Sequence, residues 1–472
     1  MLRVPEERFP RRDPAALAGF IEFCRDEARR DGRPRLGSIS LEVPHIDPLA
    51  VLQSIYEPHE LHFYLERPAA GEAIAGADAV ESATFSGPNR FAAVRDWAGD
   101  VHSRLIAIGD LDTPRAGAHL FAAFTYADEA APGAMFAPAT VFLPRWQVAA
   151  SSGRYVAVAN VRVAPDAEVA ALAARVQAAH AKFSAFPYHS LAAPAKPLPP
   201  TEIRETGGSG WFEAAVVEAL SRIRAGAYRK IVLARALDLA QFSPFLPLDA
   251  LNHLRDRFPT CFGFSLANGR GQSFIGATPE RLARVRGREL LTEALAGSAP
   301  RGGTATEDAR LGRDLLGRAK ELHEHQVVVE AIVKRLRELG LSSVTAEHAR
   351  LLLLPNVQHL CSPVSAMLPD GVHLLDVLAS LHPTPAVGGQ PRHAAQPDIA
   401  RLERFDRGLY AGAVGWFDHA GDGEFVVAIR SALMDGARAR LFAGAGIVEG
   451  SAPAEEKAET DLKLAALLEA LR

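Results

Sequence analysis

Three charged residues near the C-terminal end of the chain have a spacing that could form a metal site. Glu456, Glu459 and Lys463 occupy positions i, i+3 and i+7 of a predicted helix, so their side chains share one face. The glycine-rich segment 443–446 before them would let a ligand approach the backbone closely. Two carboxylates there could bind a hard cation such as Mg²⁺. A solvated terminal helix with an i,i+4 Glu–Lys pair has the same spacing, so both interpretations stay open.

Three further charged residues lie in apolar segments. Lys230 begins KIVLARALDL, a predicted strand that is apolar on both faces. An exposed lysine there would extend its ammonium to water, whereas an enclosed one could act as a general base. Glu324 heads the apolar stripe of a helix predicted over 307–339, where a carboxylate needs a metal, lysine or arginine partner. Arg430 interrupts the apolar strand predicted over 424–434, which indicates an ion pair or an anion-binding group.

Uncharged segments between these residues could contribute to the same site. Gly297 and Ser298 end a predicted strand, where their backbone N–H groups could bind a carboxylate or simply form a turn. His359 lies in a predicted strand over 357–363, a position more typical of a hydrogen-bonded core histidine than of a catalyst. The segment HPTPAVGGQP over 382–391 is a predicted rigid loop that permits close approach.

The first 195 residues show no catalytic constellation and are interpreted as a scaffold. Hydrophobic periodicity predicts helices over 15–30, 91–106 and 166–183, and strands over 37–43, 62–66, 120–125, 139–144 and 154–163. Short strands with few helices between them indicate a mixed or antiparallel sheet rather than repeated βαβ units. The proline-rich segment 186–204 is interpreted as a domain linker or as a crossover within one fold.

Composition limits the class of protein. The chain has 472 residues, 48% hydrophobic and 23% charged, which is ample for a large core. Its net charge of −4 argues against nucleic acid or an anionic membrane as the main partner. No apolar run is long enough to span a membrane, and the N-terminus lacks the apolar region of a signal peptide. The three cysteines offer neither a disulfide framework nor a zinc spacing, so a reducing cytoplasm is expected.

Ten motifs together resemble those of the chorismate-utilising enzymes. In order they are KIVLAR, GATPERL, TEALAGSA, ELHEHQ, VQHL, HPTPAVGG, LYAGAVGW, AIRSAL, AGAGIV and EEKAETDLK, within residues 208–466. This family includes anthranilate, aminodeoxychorismate, isochorismate and salicylate synthases, and the set is most similar to the isochorismate synthases. The resemblance implies an α+β fold of two stacked antiparallel sheets flanked by helices, with interwoven N- and C-terminal halves. It divides the chain into a scaffold half, 1–200, and a chorismate-binding catalytic half, 201–472, and favours a crossover for the proline-rich segment.

The resemblance also implies roles for individual residues. Lys230 matches the lysine that activates water for attack on C2 of the chorismate ring, and Glu280 the acid that protonates the departing C4 hydroxyl. These roles need a neutral lysine and a protonated glutamate, the forms that burial favours. Glu324, Glu456 and Glu459 match the acids of a Mg²⁺ site, and the metal holds the ring carboxylate.

Eight further positions match the family's substrate-binding residues: Gly297, Ser298, His359, Ala386, Tyr410, Arg430, Gly444 and Lys463. The Gly-Ser pair matches backbone contacts near the ring carboxylate. Tyr410 and Arg430 match the residues that grip the enolpyruvyl carboxylate, assisted by Gly444, and Lys463 matches the lysine that closes the site.

Two small residues favour isochorismate as the product. Ala296 stands where aminodeoxychorismate synthases carry a lysine nucleophile, and Ala386 stands where salicylate and anthranilate synthases usually carry threonine. The prediction is therefore a monomeric, Mg²⁺-dependent isochorismate synthase that serves menaquinone or siderophore synthesis. Salicylate or anthranilate synthase is the alternative enzyme, and a non-catalytic chorismate- or metal-binding protein is the alternative of another class.

Overall fold

The computed structural model describes residues 1–4, 14–185 and 201–471. Most of the proline-rich segment, residues 186–200, lies outside this range. The helices are α1 (Pro14–Asp31), α2 (Pro48–Ile55), α3 (Arg90–Arg104), α4 (Val169–Ala185), α5 (Trp211–Arg224), α6 (Pro247–Arg257), α7 (Ala305–Gly317), α8 (Ala319–Glu338), α9 (Leu374–Leu381), α10 (Arg392–Leu402) and α11 (Pro453–Ala470). None of these helices is long and apolar enough to cross a membrane.

Twenty-two strands are present in the described part of the chain. The first half contributes β1 (Leu2–Arg3), β2 (Arg35–Val43), β3 (Leu61–Arg67), β4 (Glu72–Phe85), β5 (Leu105–Gly109), β6 (His119–Phe124), β7 (Ala139–Ser151) and β8 (Arg154–Val163). The second half begins with β9 (Glu202–Glu205), β10 (Lys230–Ala240), β11 (Phe262–Asn268), β12 (Gln272–Thr278), β13 (Arg281–Arg286), β14 (Glu289–Pro300), β15 (Thr345–Ala346) and β16 (Arg350–Leu353). It ends with β17 (Val357–Met367), β18 (Gly389–Gln390), β19 (Ala413–Asp418), β20 (Gly423–Val427), β21 (Ser431–Asp435) and β22 (Arg438–Val448).

The strands form two arms that share the long strands β4 and β7. The first arm runs β1-β5-β2-β8-β7-β4-β3-β11-β12-β21-β22-β10, with β9 and β18 pairing with β10. The second arm runs from β7 through β6-β19-β20-β13-β14-β17, with β15 and β16 pairing with β17. Every pairing is antiparallel except those of β5 with β1 and β2. The predicted α+β class is therefore confirmed, with one small parallel exception.

The two arms pack against each other through apolar side chains. The rings of Phe63 in β3 and Phe121 in β6 stack with their centroids 4.4 Å apart. The largest buried cluster combines first-arm residues such as Phe264 with second-arm residues such as Val414 and Phe425. Burial of this many large side chains is the main favourable term in folding. The arms are thus the two stacked layers that were predicted.

Strand pairing joins the two halves of the chain directly. First-half strand β3 pairs with second-half strand β11, and β6 pairs with β19. The halves are interwoven, as predicted. The functional division at residue 200 remains a prediction.

The chain crosses between the arms at two neighbouring points. After β12 of the first arm, Pro279 and Glu280 lead into β13 of the second. In the opposite direction, Ala428–Arg430 leads from β20 to β21. The crossovers are hydrogen-bonded to each other, since Val427 N donates to Glu280 O at 3.0 Å and Ala277 N donates to Arg430 O at 3.2 Å. This places Glu280 and Arg430 side by side where the layers meet.

Several boundaries differ from those predicted. The helix over 307–339 is two helices, because Arg318 has an extended backbone that ends α7 and begins α8. The helix over 91–106 ends at Arg104, where the chain turns into β5. The strand over 424–434 is broken at Arg430, whose φ of 50° is incompatible with a strand. Strands β4 and β13 were not predicted.

Candidate active site

A cavity lies beside the two crossovers, between the arms and helices α8 and α11. Its empty volume is about 640 Å³ counting the open mouth. Eleven of the thirteen predicted site residues line it: Glu280, Gly297, Ser298, Glu324, His359, Ala386, Tyr410, Arg430, Gly444, Glu459 and Lys463. The other two, Lys230 and Glu456, do not line it but contact charged residues beside it. The structure therefore brings all thirteen into one region.

Glu280 is a buried carboxyl group at the first crossover. The residue is 3% exposed, and its backbone is fixed by hydrogen bonds to Thr278 and Val427. Burial raises the pKa of Glu280 to about 8, although the nearby Lys230 ammonium opposes the shift. Most Glu280 side chains therefore carry a proton at neutral pH, as a general acid requires.

Lys230 is enclosed rather than extended to water. The residue is 0% exposed, and its Nζ lies 2.9 Å from Glu324 Oε1 in an ion pair. Among the described residues, no hydrogen-bond partner with suitable geometry faces this Nζ. Glu324 lines the cavity and Lys230 does not, so Glu324 stands between the ammonium and the space for a ligand. The predicted base, Lys230, is therefore at the site, but the Glu324 carboxylate lies between it and the cavity.

Gly446 makes room for this ion pair, a role that the sequence analysis missed. It lies in the glycine-rich β22, and a Cβ at this position would come 2.2 Å from Glu324 Oε1 and 3.1 Å from Lys230 Cε. The signal was available, because Gly446 belongs to the segment 443–446. The prediction assigned those glycines to the approach of a ligand, whereas Gly446 admits a side chain of α8.

Two other acids of the predicted metal set also have lysine partners. Lys320 Nζ lies 2.8 Å from Glu456 Oε1, and Lys463 Nζ lies 2.6 Å from Glu459 Oε1. Burial raises the pKa of Glu456, whose residue is 1% exposed. Burial acts to raise the pKa of Glu459, but Lys463, Lys320 and a hydrogen bond from Ser298 together outweigh it, and the pKa is lowered. The C-terminal helix is therefore not merely a solvated surface.

Glu321 is a fourth acid near this cluster and was not predicted. It precedes Glu324 by three residues and lies on the same side of α8. Burial and the nearby Glu324 carboxylate raise its pKa. Its Oε2 accepts a hydrogen bond of 3.2 Å from Ser298 N, one of the two N–H groups predicted to bind a substrate carboxylate. The i,i+3 spacing in ELHE was the signal that could have identified it.

The four acids have the ligand chemistry that a hard divalent cation prefers, but their side chains are not arranged to bind one in this structure. Mg²⁺ prefers carboxylate oxygens, and these acids influence one another electrostatically. In the described part of the chain, no three aspartate, glutamate, histidine or cysteine side chains are close enough together to hold one metal ion. Each predicted ligand instead faces a lysine. A cation could bind once Lys230, Lys320 and Lys463 move away from these carboxylates.

Arg430 is the unpaired cation of the cavity. Its Nη2 contacts His359 Nε2 at 2.5 Å, and no carboxylate in the described residues lies within ion-pair distance of it. Burial and the Arg430 charge hold the pKa of His359 well below its usual value, so the ring is neutral. Nε2 must then accept from Arg430, which leaves the proton on Nδ1 to donate to Ser298 Oγ, 3.0 Å away. His359 thus orients both the Arg430 guanidinium and the Ser298 hydroxyl.

The remaining predicted residues form the walls of the cavity. Gly297 has a φ of 79° and forms a bulge in β14, which turns Ser298 towards His359. The Tyr410 ring stacks on Phe442 with centroids 5.1 Å apart. Gly444 passes directly beside it, since a Cβ there would come 2.8 Å from the Tyr410 hydroxyl. Its carbonyl also accepts a 2.9 Å hydrogen bond from Lys463.

This fold is that of the chorismate-binding enzymes. The model of the family described as chorismate binding enzyme matches residues 22–472, and the chain belongs to that family. It is 37% identical over 473 residues to the salicylate biosynthesis isochorismate synthase of Pseudomonas aeruginosa, covering 97% of this chain and 94% of that protein. It is 39% identical over 261 residues to the isochorismate synthase MenF of Bacillus subtilis, covering 55% of each.

A solved structure is similar over nearly the whole chain. The menaquinone-specific isochorismate synthase MenF of Escherichia coli superimposes with a TM-score of 0.77 at 26% identity. The superposition covers 96% of this chain and 100% of that one. The resemblance inferred from the ten motifs is confirmed.

Proposed function

We propose that the protein is an isochorismate synthase that converts chorismate to isochorismate by addition of water at C2 and loss of the C4 hydroxyl. The relatives named above carry this activity in their names. One observation carries the proposal for this chain's own site: a buried carboxyl group with a pKa of about 8 faces the same cavity as an arginine that has no carboxylate partner. A dianionic substrate with a poor leaving group needs both.

Arg430 binds the enolpyruvyl carboxylate in this proposal. A buried guanidinium without a counter-ion is costly, and a substrate carboxylate removes that cost. The neutral His359 holds the guanidinium in position without competing for its charge. Tyr410 and Gly444 line the same part of the cavity, and the absence of a Cβ at Gly444 leaves the tyrosine hydroxyl accessible.

Glu280 acts as the general acid. Hydroxide is a poor leaving group, so the C4 oxygen must gain a proton as its bond to the ring breaks. Glu280 can supply this proton because burial keeps the carboxyl group largely protonated at neutral pH. Two backbone hydrogen bonds hold the crossover that carries it, so its position is fixed before the substrate arrives.

Lys230 acts as the general base that takes a proton from the attacking water. Its full burial and its ion pair with Glu324 support a position at the site. Glu324 must turn away from Lys230, and the ammonium must first release its proton, because only the neutral amine can accept one from water in the cavity. The reaction then adds one water and loses one, so the ring gains a hydroxyl at C2 and loses the one at C4 without net oxidation or reduction.

Glu324, Glu456 and Glu459, with Glu321, would hold Mg²⁺. When bound, the metal supplies positive charge that neutralises and orients the ring carboxylate. The carboxylates contribute the ligand type that Mg²⁺ prefers. Ser298 and Gly297 border the same region, which Glu459 also lines.

Isochorismate rather than salicylate or an amino product is supported by the lining of the cavity. Ala386 lines it, so no hydroxyl is present at the position where threonine is usual in salicylate and anthranilate synthases. Ala296 also lines it, so no lysine nucleophile is available there. The product would feed menaquinone or siderophore synthesis.

The protein is also proposed to be a cytoplasmic monomer. All three cysteines are buried as free thiols, which suits a reducing compartment.

Incubation of the purified protein with chorismate and Mg²⁺ tests the proposed function. Isochorismate alone is the expected product, and a chelator should stop its formation. Salicylate with pyruvate, or anthranilate when ammonia is added, would assign the chain to another branch of the family. Absence of turnover in a folded protein would refute the catalytic proposal.

A further inference from the structure

A second cavity lies on the opposite side of the loop that separates it from the active site. His382 and Pro383, at the start of this loop, line the second cavity, whereas Ala386 and Val387 line the first. The second cavity has an empty volume of about 1740 Å³ counting its open mouth. Its walls come from both halves of the chain. The first half contributes residues 88–131 and the second half residues 379–407.

Two arginines in this cavity lack the partners that buried arginines usually have. Arg90 is 4% exposed and donates to Thr125 O at 3.0 Å. Arg392 is partly buried and donates to the carbonyls of Ser380 and Leu381. The Nε atom of each is buried without a hydrogen-bond partner. In the described residues no carboxylate lies within ion-pair distance of either guanidinium.

Other buried arginines in this protein are paired with acids. Arg281 contacts Glu293 and Glu424, and Arg407 contacts Glu403. Burial of an unpaired charge is unfavourable, so proteins pair such groups or use them to bind anions. Arg430 is the matching case in the active site, where the proposed occupant is a carboxylate. The same feature in the second cavity indicates an anionic ligand there.

The charges around the second cavity do not supply that anion. Glu403 lines the cavity but is held by Arg407 through two hydrogen bonds of 2.6 and 2.8 Å. Asp128 and Asp406 also line the cavity. Asp128 attracts Arg90 at longer range without contacting it, and Asp406 accepts a hydrogen bond from Gly408 N. A third arginine, Arg335, adds positive charge beside Arg392, and burial with this neighbour lowers the pKa of Arg392 to about 9. Positive charge is therefore in excess.

Apolar and aromatic groups complete the cavity. Phe91, Ile399 and Phe405 line it, together with Tyr126, whose hydroxyl is buried without a hydrogen-bond partner. A ligand with a flat apolar body and one polar substituent would satisfy these groups, whereas inorganic phosphate would leave them uncovered. The guanidinium of Arg407 lies 4.2 Å from the Tyr126 ring centroid and separates this wall from the active site.

We propose that this second cavity binds a small aromatic or cyclic carboxylic acid, whose carboxylate contacts Arg90 and Arg392 and whose ring packs against Phe91 and Tyr126. The site is distinct from the proposed active site, and it is independent of the reaction catalysed there. The proposal concerns binding alone and assigns no reaction to this site.

Calorimetric titration of the full chain with benzoate tests this proposal. The measurement is made in an Arg430→Gln background, so that the active-site arginine cannot bind the probe. Benzoate should bind this protein, and the added substitution Arg392→Gln should weaken binding by about tenfold or more, which corresponds to about 1.4 kcal/mol. The neutral isostere benzamide and inorganic phosphate should both bind more weakly than benzoate. Arg310→Gln, on the exposed face of α7, is the matched control and should change nothing.

Equal benzoate binding with and without Arg392→Gln would overturn the proposal, as would failure of benzoate to bind the Arg430→Gln protein. Tighter binding of phosphate than of benzoate would also overturn it. If Arg392→Gln does not fold, Ala400→Trp provides a second variant, because it fills the lining of the cavity and keeps every arginine. It should abolish benzoate binding. Chorismate turnover by Arg392→Gln alone should match wild type, which separates failure of this proposal from failure of the proposed function.

Discussion

The two cavities share a binding feature and differ in the groups that could perform chemistry. Each contains a buried arginine that has no carboxylate partner in the described part of the chain, Arg430 in one and Arg90 in the other. The first cavity adds Glu280 with a raised pKa and ion pairs between glutamates and lysines. In the second, the buried His382 has a pKa of about 3, because burial and two nearby arginines disfavour its charged form. We therefore expect a cationic cavity to bind an anion without further groups, whereas catalysis needs groups whose proton can move near neutral pH.

Replacing Glu280, the proposed general acid, should have the largest effect, a loss of catalysis that concerns only the first cavity. Glu280→Gln keeps the shape of the side chain but removes the transferable proton, so kcat should fall by about 10²- to 10⁴-fold. Chorismate binding, measured by calorimetry, should persist because Arg430 is intact. Glu289→Gln, an exposed residue of β14, is the control and should retain wild-type kcat. A near wild-type kcat for Glu280→Gln would show that Glu280 is not the general acid.

Exchanging one unpaired arginine of each cavity for glutamine, Arg430 in the first and Arg392 in the second, should distinguish the cavities by the KM for chorismate. Arg430→Gln removes charge-assisted hydrogen bonds worth about 1.5–3 kcal/mol, so KM for chorismate should rise by about one to two orders of magnitude. Steady-state kinetics of Arg392→Gln should show an unchanged KM. A similar rise in both variants would mean that the second cavity also contributes to substrate binding.

A single methyl group should disturb the first cavity by a smaller amount. In Gly446→Ala the new Cβ would overlap Glu324 Oε1, so Glu324 must move away from Lys230. We expect a loss of about 1–3 kcal/mol in the free energy of unfolding, measured by denaturant titration, together with weaker Mg²⁺ binding. Gly99→Ala is the matched control. It lies in α3 with no atom within 4 Å of the new Cβ and should be neutral or slightly stabilising. Equal stability of the two variants would show that Gly446 has no such role.

The pH dependence of stability gives a further prediction for the first cavity. The pKa of Glu280 is raised in the folded state, so the folded protein binds a proton that the unfolded chain loses above its ordinary pKa. The free energy of unfolding should therefore fall as pH rises from the unfolded pKa, near 4.5, towards about 8. Glu280→Gln should lack this contribution and gain stability relative to wild type between about pH 5 and pH 8. A difference between the two proteins that does not change with pH would contradict the raised pKa.

The sequence predicted much of the site because its motifs specify local geometry. The glycine run before α11, the i,i+3 acids and the apolar strand of Lys230 each indicated an element that the structure contains. The resemblance of the motifs added the assignment of Glu280, which periodicity could not have provided. The role of Glu280 depends on its position at a crossover between the two layers. That position is evident only from the structure, in which β12 and β13 pair with different neighbouring strands.

Features that depend on long-range contacts were missed. Arg430 looked like an interruption of one strand, but the chain changes layers there and adopts a positive φ. The lysine partners of Glu324 and Glu456 come from β10 and α8, so no local spacing predicts them. The second cavity combines Arg90 with Arg392, about 300 positions apart in the sequence, and neither belongs to a recognisable motif.

Oxygen-18-labelled water tests the central claim most directly. If Lys230 and Glu280 add solvent water at C2 and release the C4 hydroxyl, every isochorismate molecule formed in labelled water should carry one heavy oxygen, at ring carbon C2. Mass spectrometry of the product, with fragmentation to locate the label, provides the readout. Isochorismate without the label would show that the hydroxyl migrates within the substrate, and it would contradict the assigned roles of the base and the acid.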